Sequence, residues 1–176
     1  MLRTAVALLF GLALSQTLQA APPKELFGKS VIVTWMEMRD QRREGEQAWR
    51  PVQGSQALKI YVSEAGRVFN DLTYSTRGGS ADRGGQIAGQ GGYRAITFSG
   101  RLLLILMPHG KGGATRISAD FDSSYANCNA EVVRAKESEG TIIKIYSQII
   151  KHMVEIRSIK VSGSACSVRS GNVFGN

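Results

Sequence analysis

The stretch ALKIYVSEAGRVFNDLTY (residues 57–74) decides the fold class. In its first half, apolar side chains alternate with polar or aromatic ones: Leu58, Ile60 and Val62 against Lys59, Tyr61 and Ser63. An alternation of period two is that of a strand with one buried face. Glu64, Ala65 and Gly66 then interrupt the pattern, and a short connection that contains glycine is typical of a β-hairpin. The stretch therefore predicts two antiparallel strands.

Similar runs lie on both sides of this hairpin. KSVIVTWMEM (29–38) is largely apolar on both faces, which predicts a central strand. YRAITFSGRLLLILMP (93–108) predicts a second hairpin, and its latter half is expected to be the most buried strand. Residues 113–121 and 127–137 supply two more strands by the same alternation. The charged segment 39–55, which contains glycine and proline, is predicted to be a long loop.

The C-terminal part leaves one element open. TIIKIYSQIIKHM (141–153) has apolar residues at helical spacing, whereas its isoleucines favour a strand. Residues 154–171 predict a closing hairpin around Gly163. Eight or nine short strands separated by frequent turns predict an all-β domain, either a small antiparallel β-barrel or a sandwich. The barrel is the favoured architecture, and a short helix at 141–153 is the alternative to a strand there.

The first twenty residues have the layout of a secretory signal peptide. Arg3 precedes an apolar run from Ala5 to Leu14, and small residues follow at Ala20 and Ala21. The run is too short for a bilayer span, which needs about twenty residues. We therefore expect residues 1–20 to be cleaved, and residues 21–176 to form a single exported β domain, periplasmic or secreted, that is not an integral membrane protein.

The two cysteines are predicted to form a disulfide. Cys128 and Cys166 are the only cysteines of the chain, and an even pair in an oxidising compartment favours a bridge over a catalytic or metal-binding thiol. Closing so long a loop is expected to stabilise the fold by about 3–4 kcal/mol.

The glycine-rich segment RGGSADRGGQIAGQGG (77–92) raises the question of phosphate or nucleic-acid binding. It lacks the glycine spacing and the following helix of a phosphate-binding loop, and it contains no aromatic side chain on which a base would stack. Nucleic acid is therefore an unlikely partner. We interpret the segment as a loop between strands, with Arg77 and Arg83 as secondary contacts to an anionic partner.

Catalytic and metal-binding patterns are sparse. His109 and His152 are the only histidines, and none of the hydrolase or zinc motifs that use histidine is present. The aspartates of SADFDSSYANCN do not continue into a calcium-loop pattern, so neither a metal nor a cofactor is expected. A glycan hydrolase remains a formal alternative that would pair Glu37 with Asp120 or Glu131.

The most suggestive candidate site follows the first strand. It combines cations with an aromatic ring that would stack on a flat group: Arg39, Arg42, Arg43, Trp49 and Arg50. At the mouth of a barrel these side chains would line an anion-tolerant opening. In the alternative interpretation, Glu44 and Glu46 neutralise the cations and Trp49 fills the end of the barrel.

Composition agrees with an anionic partner, because Lys and Arg outnumber Asp and Glu by 22 to 14, for a formal net charge of +8. The sequence predicts a non-enzymatic binding or interaction module of the bacterial envelope, with an anionic small molecule, a glycan or an envelope protein as its partner. A structural or stress-related surface protein is the alternative, and an envelope glycan hydrolase is less favoured.

Overall fold

The computed structural model describes residues 21–77, 79–82, 87–88, 95–108, 113–135 and 140–174. They form one short 3₁₀ turn, Lys24–Leu26, and eleven strands. In chain order the strands are β1 Lys29–Arg43, β2 Arg50–Val62, β3 Val68–Thr76, β4 Gly79–Asp82, β5 Ile87–Ala88, β6 Ala95–Ser99, β7 Leu102–Pro108, β8 Ala114–Phe121, β9 Cys128–Arg134, β10 Ile143–Ser147 and β11 His152–Ser170.

The strands make two antiparallel sheets. The larger has the order β10-β11-β1-β2-β3-β4, with β5 also paired to β3, and the smaller has the order β6-β7-β8-β9. Within the described ranges no ladder of backbone hydrogen bonds joins one sheet to the other. The all-β prediction is confirmed, and of its two architectures the sandwich is observed while the favoured closed barrel is not.

The predicted hairpin of residues 57–74 is confirmed. β2 and β3 pair from Val62↔Val68 to Gly54↔Thr76 around a turn in which Gly66 has φ +73°. Glycine is favoured there for two reasons. It adopts this left-handed φ without strain, and a Cβ at this position would stand 2.8 Å from the Phe27 ring. The second predicted hairpin is confirmed as well, with β6 and β7 turning at Gly100.

One apolar core lies between the sheets. Apart from Leu26 of the 3₁₀ turn, its largest side chains come from alternate positions of the facing strands, as a sandwich requires. The largest fully buried members are Trp35, Leu26, Leu58, Ile60, Ile96, Leu103, Ile105, Ile117, Val31, Val33 and Val62. We call the face of the larger sheet that carries Val31, Val33 and Trp35 its inner face.

The predicted loop 39–55 is wrong. β1 continues to Arg43 and β2 begins at Arg50, so only residues 44–49 lie outside the strands. Charged side chains are tolerated because a strand of this hairpin exposes one face to solvent. Pro51 is tolerated because it lies beyond Gly54↔Thr76, the last β2–β3 pair, where β2 has no neighbour on its β3 side.

In the C-terminal part, one open alternative is resolved and one expectation is wrong. Residues 141–153 contain strand β10 and a tight turn, not a helix, in line with the β preference of their isoleucines. Gly163 does not turn a hairpin, because β11 runs through it without reversing. At that point the β1–β11 register shifts by one residue between Thr34 and Met36, and Gly163 takes the left-handed φ of +58°. It is the glycine of a β-bulge.

The predicted disulfide is confirmed and lies where the two sheets meet. Cys128 of β9 is bonded to Cys166 of β11, with a Cα–Cα distance of 5.4 Å. Beside it, the Ser164 hydroxyl donates a hydrogen bond to the Ala130 carbonyl over 2.7 Å. The bridge therefore joins the edge strand of the smaller sheet to a part of β11 that pairs only with β1.

Replacing both cysteines, as Cys128→Ala/Cys166→Ala, is expected to lower the free energy of unfolding by about 4 kcal/mol, because the unfolded chain regains the entropy of an open loop. Urea denaturation monitored by tryptophan fluorescence measures the loss. The wild-type protein unfolded in the presence of reductant is the control and should show the same loss. An unchanged denaturation midpoint in the variant would contradict this role of the bridge.

Candidate functional site

The inner face of β1 changes character along the strand. Val31, Val33 and Trp35 belong to the apolar core, whereas the next two inner positions are Glu37 and Arg39. The next two residues on the same face of the strand, Gln41 and Arg43, are also polar or charged. The residues of a candidate site therefore follow directly from the core on one strand.

Glu37 and Arg39 form a buried ion pair. Arg39 donates from Nη2 and Nε to Glu37 Oε2 over 2.6 and 2.9 Å, and both side chains are about 4% exposed. Trp35 Nε1 donates to the other carboxylate oxygen over 3.2 Å, and the side chain of Gln56 is hydrogen-bonded to the same carboxylate. The Arg39 guanidinium also lies 3.9 Å from the centre of the Tyr74 ring. The positive charge of Arg39 is thus stabilised both by the Glu37 carboxylate and by the Tyr74 ring.

The pKa of Glu37 lies below its ordinary value. Burial alone raises the pKa, but the positive charge of Arg39 and the hydrogen bonds from Arg39, Trp35 and Gln56 together outweigh it. Glu37 is therefore a carboxylate whose partners are already satisfied. Such a group is poorly suited to act as a general acid.

Gly54 makes room for this arrangement. It pairs with Glu37 across β1–β2, and a Cβ at this position would stand 2.5 Å from the Tyr74 ring. Because glycine has no side chain, the ring can lie across β2 and reach the Arg39 guanidinium. The close approach explains a glycine in the interior of a strand.

Beyond Arg39 the inner face borders a half-open pocket of about 290 Å³, which we call the arginine pocket. It lies between the β1–β2 hairpin and the start of β11, and its lining residues are Gln41, Arg42, Arg43, Glu46, Arg50, Val52, Ile150 and Val154. Ile150 comes from the β10–β11 turn. That turn lies beside β4, because Ile149 Cγ2 is only 3.7 Å from the place of a Cβ at Gly79. The larger sheet therefore curls, and its inner face is concave here.

The opposite, outer face of the same hairpin carries a compensated charge network. Trp49 lies between two guanidiniums, with Arg42 Cζ at 4.5 Å and Arg157 Cζ at 4.8 Å from its ring. The ion pairs of this network are Arg42–Glu155 at 2.7 Å, Lys144–Glu155 at 3.2 Å, Lys144–Glu44 at 2.7 Å, and Arg157–Asp40. Hydrogen bonds from Arg42 and Lys144 lower the pKa of Glu155, and those to Glu44 and Glu155 raise the pKa of Lys144.

The structure separates the five residues of the predicted site. Arg43 and Arg50 come together at the arginine pocket, and Arg42 also borders it although its guanidinium pairs with Glu155 on the outer face. Arg39 is buried with Glu37 and does not line the pocket. It lies next to the pocket, because its cross-strand partner Val52 is a lining residue. Trp49 lies on the outer face and so does not face the pocket. The pocket residues that sequence reasoning missed are Gln41, Val52, Ile150 and Val154, while Glu46 was considered only as a neutralising charge.

The secondary contacts are placed elsewhere or not at all. Arg77 is exposed and lines a separate shallow groove with Met36, Gln53 and Ser75. Arg83 lies outside the described residues, and so does His109. His152 is exposed at the start of β11.

The carboxylates considered for hydrolysis do not meet. Glu37 lies inside on the larger sheet, whereas Asp120 and Glu131 are exposed on the smaller sheet, on the face away from the core. Asp122 holds a turn: its carboxylate accepts hydrogen bonds from Ser124, Ala126 and Asn127, and they lower its pKa to about 2. The described residues contain no group of three or more side chains arranged to hold a metal ion.

Comparisons with protein-family models, with curated proteins and with solved structures found no match to this chain. Over the described ranges, no helix has the length and apolar character needed to cross a bilayer.

Glu37→Gln is expected to lower the free energy of unfolding by about 3–5 kcal/mol, because it leaves Arg39 as a buried cation without a counter-charge. Urea denaturation of the purified variant measures the change. In the control, Glu37→Met/Arg39→Met removes both charges and should cost less than the single substitution. A double variant that loses more than the single one would show that the ion pair is not the stabilising contact.

Proposed function

We propose that the protein is an exported, non-enzymatic binding module of the bacterial envelope that holds a small anionic ligand in the arginine pocket. One observation carries the proposal: the pocket is lined by three arginines, and two of them, Arg43 and Arg50, have no ion-pair partner among the described residues. Guanidinium groups offer planar pairs of donors that match carboxylate and phosphate oxygens.

The surroundings of the arginines favour a small ligand with an apolar part. Val52, Ile150 and Val154 are the apolar residues that line the pocket, and Val154 is only 2% exposed. The pocket volume of about 290 Å³ is at the lower end of ligand sites, which range from about 300 to 1,000 Å³. The net charge of +8 adds long-range attraction for anions.

We describe the proposed function as non-enzymatic because of the residues that line the pocket. Among the described residues that line the arginine pocket, Glu46 is the one carboxylate, and none is a histidine, cysteine, serine or threonine. The arrangement therefore offers recognition of charge and shape without a nucleophile or a general acid–base pair.

Binding of isocaproate, a carboxylate with a short branched chain, is expected by isothermal titration calorimetry. Arg43→Gln/Arg50→Gln should weaken it at least about tenfold, since hydrogen bonds to charged groups contribute about 1.5–3 kcal/mol each. The matched control is Arg101→Gln/Arg169→Gln, which removes the same charge from two exposed arginines away from the pocket and should leave the affinity unchanged. Equal weakening in both double variants would contradict the site, and absence of binding to the wild type would contradict the function.

A protein partner remains the alternative function. It is supported by Leu106 and Val133, which are 47% and 40% exposed and flank Arg116 on the outer face of the smaller sheet. Wild-type protein that binds no small anion would favour this surface over the arginine pocket.

A further inference from the structure

The charges of the β1–β2 hairpin end divide into two sets. Seven charged residues lie between positions 39 and 50, and four of them are ion-paired: Arg39, Asp40, Arg42 and Glu44. The other three, Arg43, Glu46 and Arg50, make no ion pair within the described residues, and all three line the arginine pocket. Among the charged residues between positions 39 and 50, those without an ion pair therefore all line the pocket. They include two cations and one anion.

We propose that the ligand of the arginine pocket is a zwitterion, namely a free amino acid with a short apolar side chain. This inference rests on the proposed function and narrows it. The carboxylate of the amino acid would bind to Arg43 and Arg50, its ammonium group to Glu46, and its side chain to the apolar lining residues Val52, Ile150 and Val154.

Glu46 distinguishes a zwitterion from a simple anion. Its backbone N–H donates to the Arg43 carbonyl over 3.0 Å, which holds residue 46 in the turn next to Arg43, and its side chain lines the pocket. A ligand that carried negative charge alone would be repelled by this carboxylate, and like-charge juxtaposition costs affinity. A ligand that carries an ammonium group beside its carboxylate satisfies all three unpaired charges at once.

Size and shape agree with this ligand class. A volume of about 290 Å³ equals the liquid volume of about ten water molecules, which is enough for one amino acid. The apolar lining residues favour a short apolar side chain, because burying a polar group against them without a partner is costly. Gln41 adds an amide that both donates and accepts hydrogen bonds.

The test compares three ligands of one shape by isothermal titration calorimetry on the wild-type protein. L-leucine carries both charges, isocaproate lacks the ammonium group and isoamylamine lacks the carboxylate. We expect leucine to bind at least about tenfold more tightly than either analogue. Glu46→Gln should weaken leucine about tenfold and leave isocaproate unchanged or slightly tighter. The matched control is Glu44→Gln, whose carboxylate pairs with Lys144 on the outer face and should affect neither ligand.

The outcomes separate this inference from the proposed function. Isocaproate that binds as tightly as leucine, with no effect of Glu46→Gln, overturns the zwitterion and leaves the anion pocket intact. Isoamylamine that binds as tightly as leucine overturns the anion pocket, because the arginines then contribute nothing. Folded wild-type protein that binds none of the three overturns both.

Discussion

The buried ion pair between Glu37 and Arg39 is the interaction on which the candidate site depends. It lies on β1 where the inner face leaves the apolar core, and it allows one uninterrupted strand to serve both regions. Two charges in such a place are tolerated only when they satisfy each other and their remaining hydrogen bonds. Trp35, Gln56 and Tyr74 supply the additional contacts. The pair therefore closes the core on one side and supports the arginine pocket on the other.

The β1–β2 hairpin acquires two different faces from the alternation of its side chains. On its outer face, guanidinium and carboxylate groups neutralise one another around Trp49. On its inner face, Arg43 and Arg50 lie beside a concave surface without such partners. A compensated outer face fixes the hairpin, and the uncompensated inner face is the one that we propose attracts ligands. The same composition, on a strand displaced by one residue, would exchange these roles.

Fold class could be predicted from the sequence because Leu58, Ile60 and Val62 alternate regularly with Lys59, Tyr61 and Ser63 before the glycine-containing turn. The extension of β1 and β2 could not, since charged residues occupy both faces of 39–55 and hide the period. Continuing the odd-numbered face of Val31, Val33 and Trp35 would have placed Arg39 and Arg43 on one surface. Gly163 was misinterpreted because a bulge and a turn use the same left-handed glycine conformation.

The remainder of the site depends on tertiary structure. Ile150 and Val154 lie about a hundred residues from Arg43 in sequence, and only the β1–β11 register and the curl of the larger sheet bring them to the pocket. Trp49 was assigned to the site because arginines lie near it in the sequence. In the structure, Arg42 and Arg157 contact its ring on the outer face. This ring is therefore already in contact with two guanidiniums. Arg43 and Arg50, which lie near it in the sequence, are the residues that face the concave surface.

The most direct test of the arginine pocket is a titration of the isotope-labelled protein with isocaproate, followed by backbone amide NMR shifts. Perturbations should concentrate at Gln41, Arg43, Arg50 and Val154, on the inner face and at the start of β11. Perturbations centred on Trp49 and Arg157, or their absence at saturating ligand, would contradict the assignment of ligand binding to this pocket.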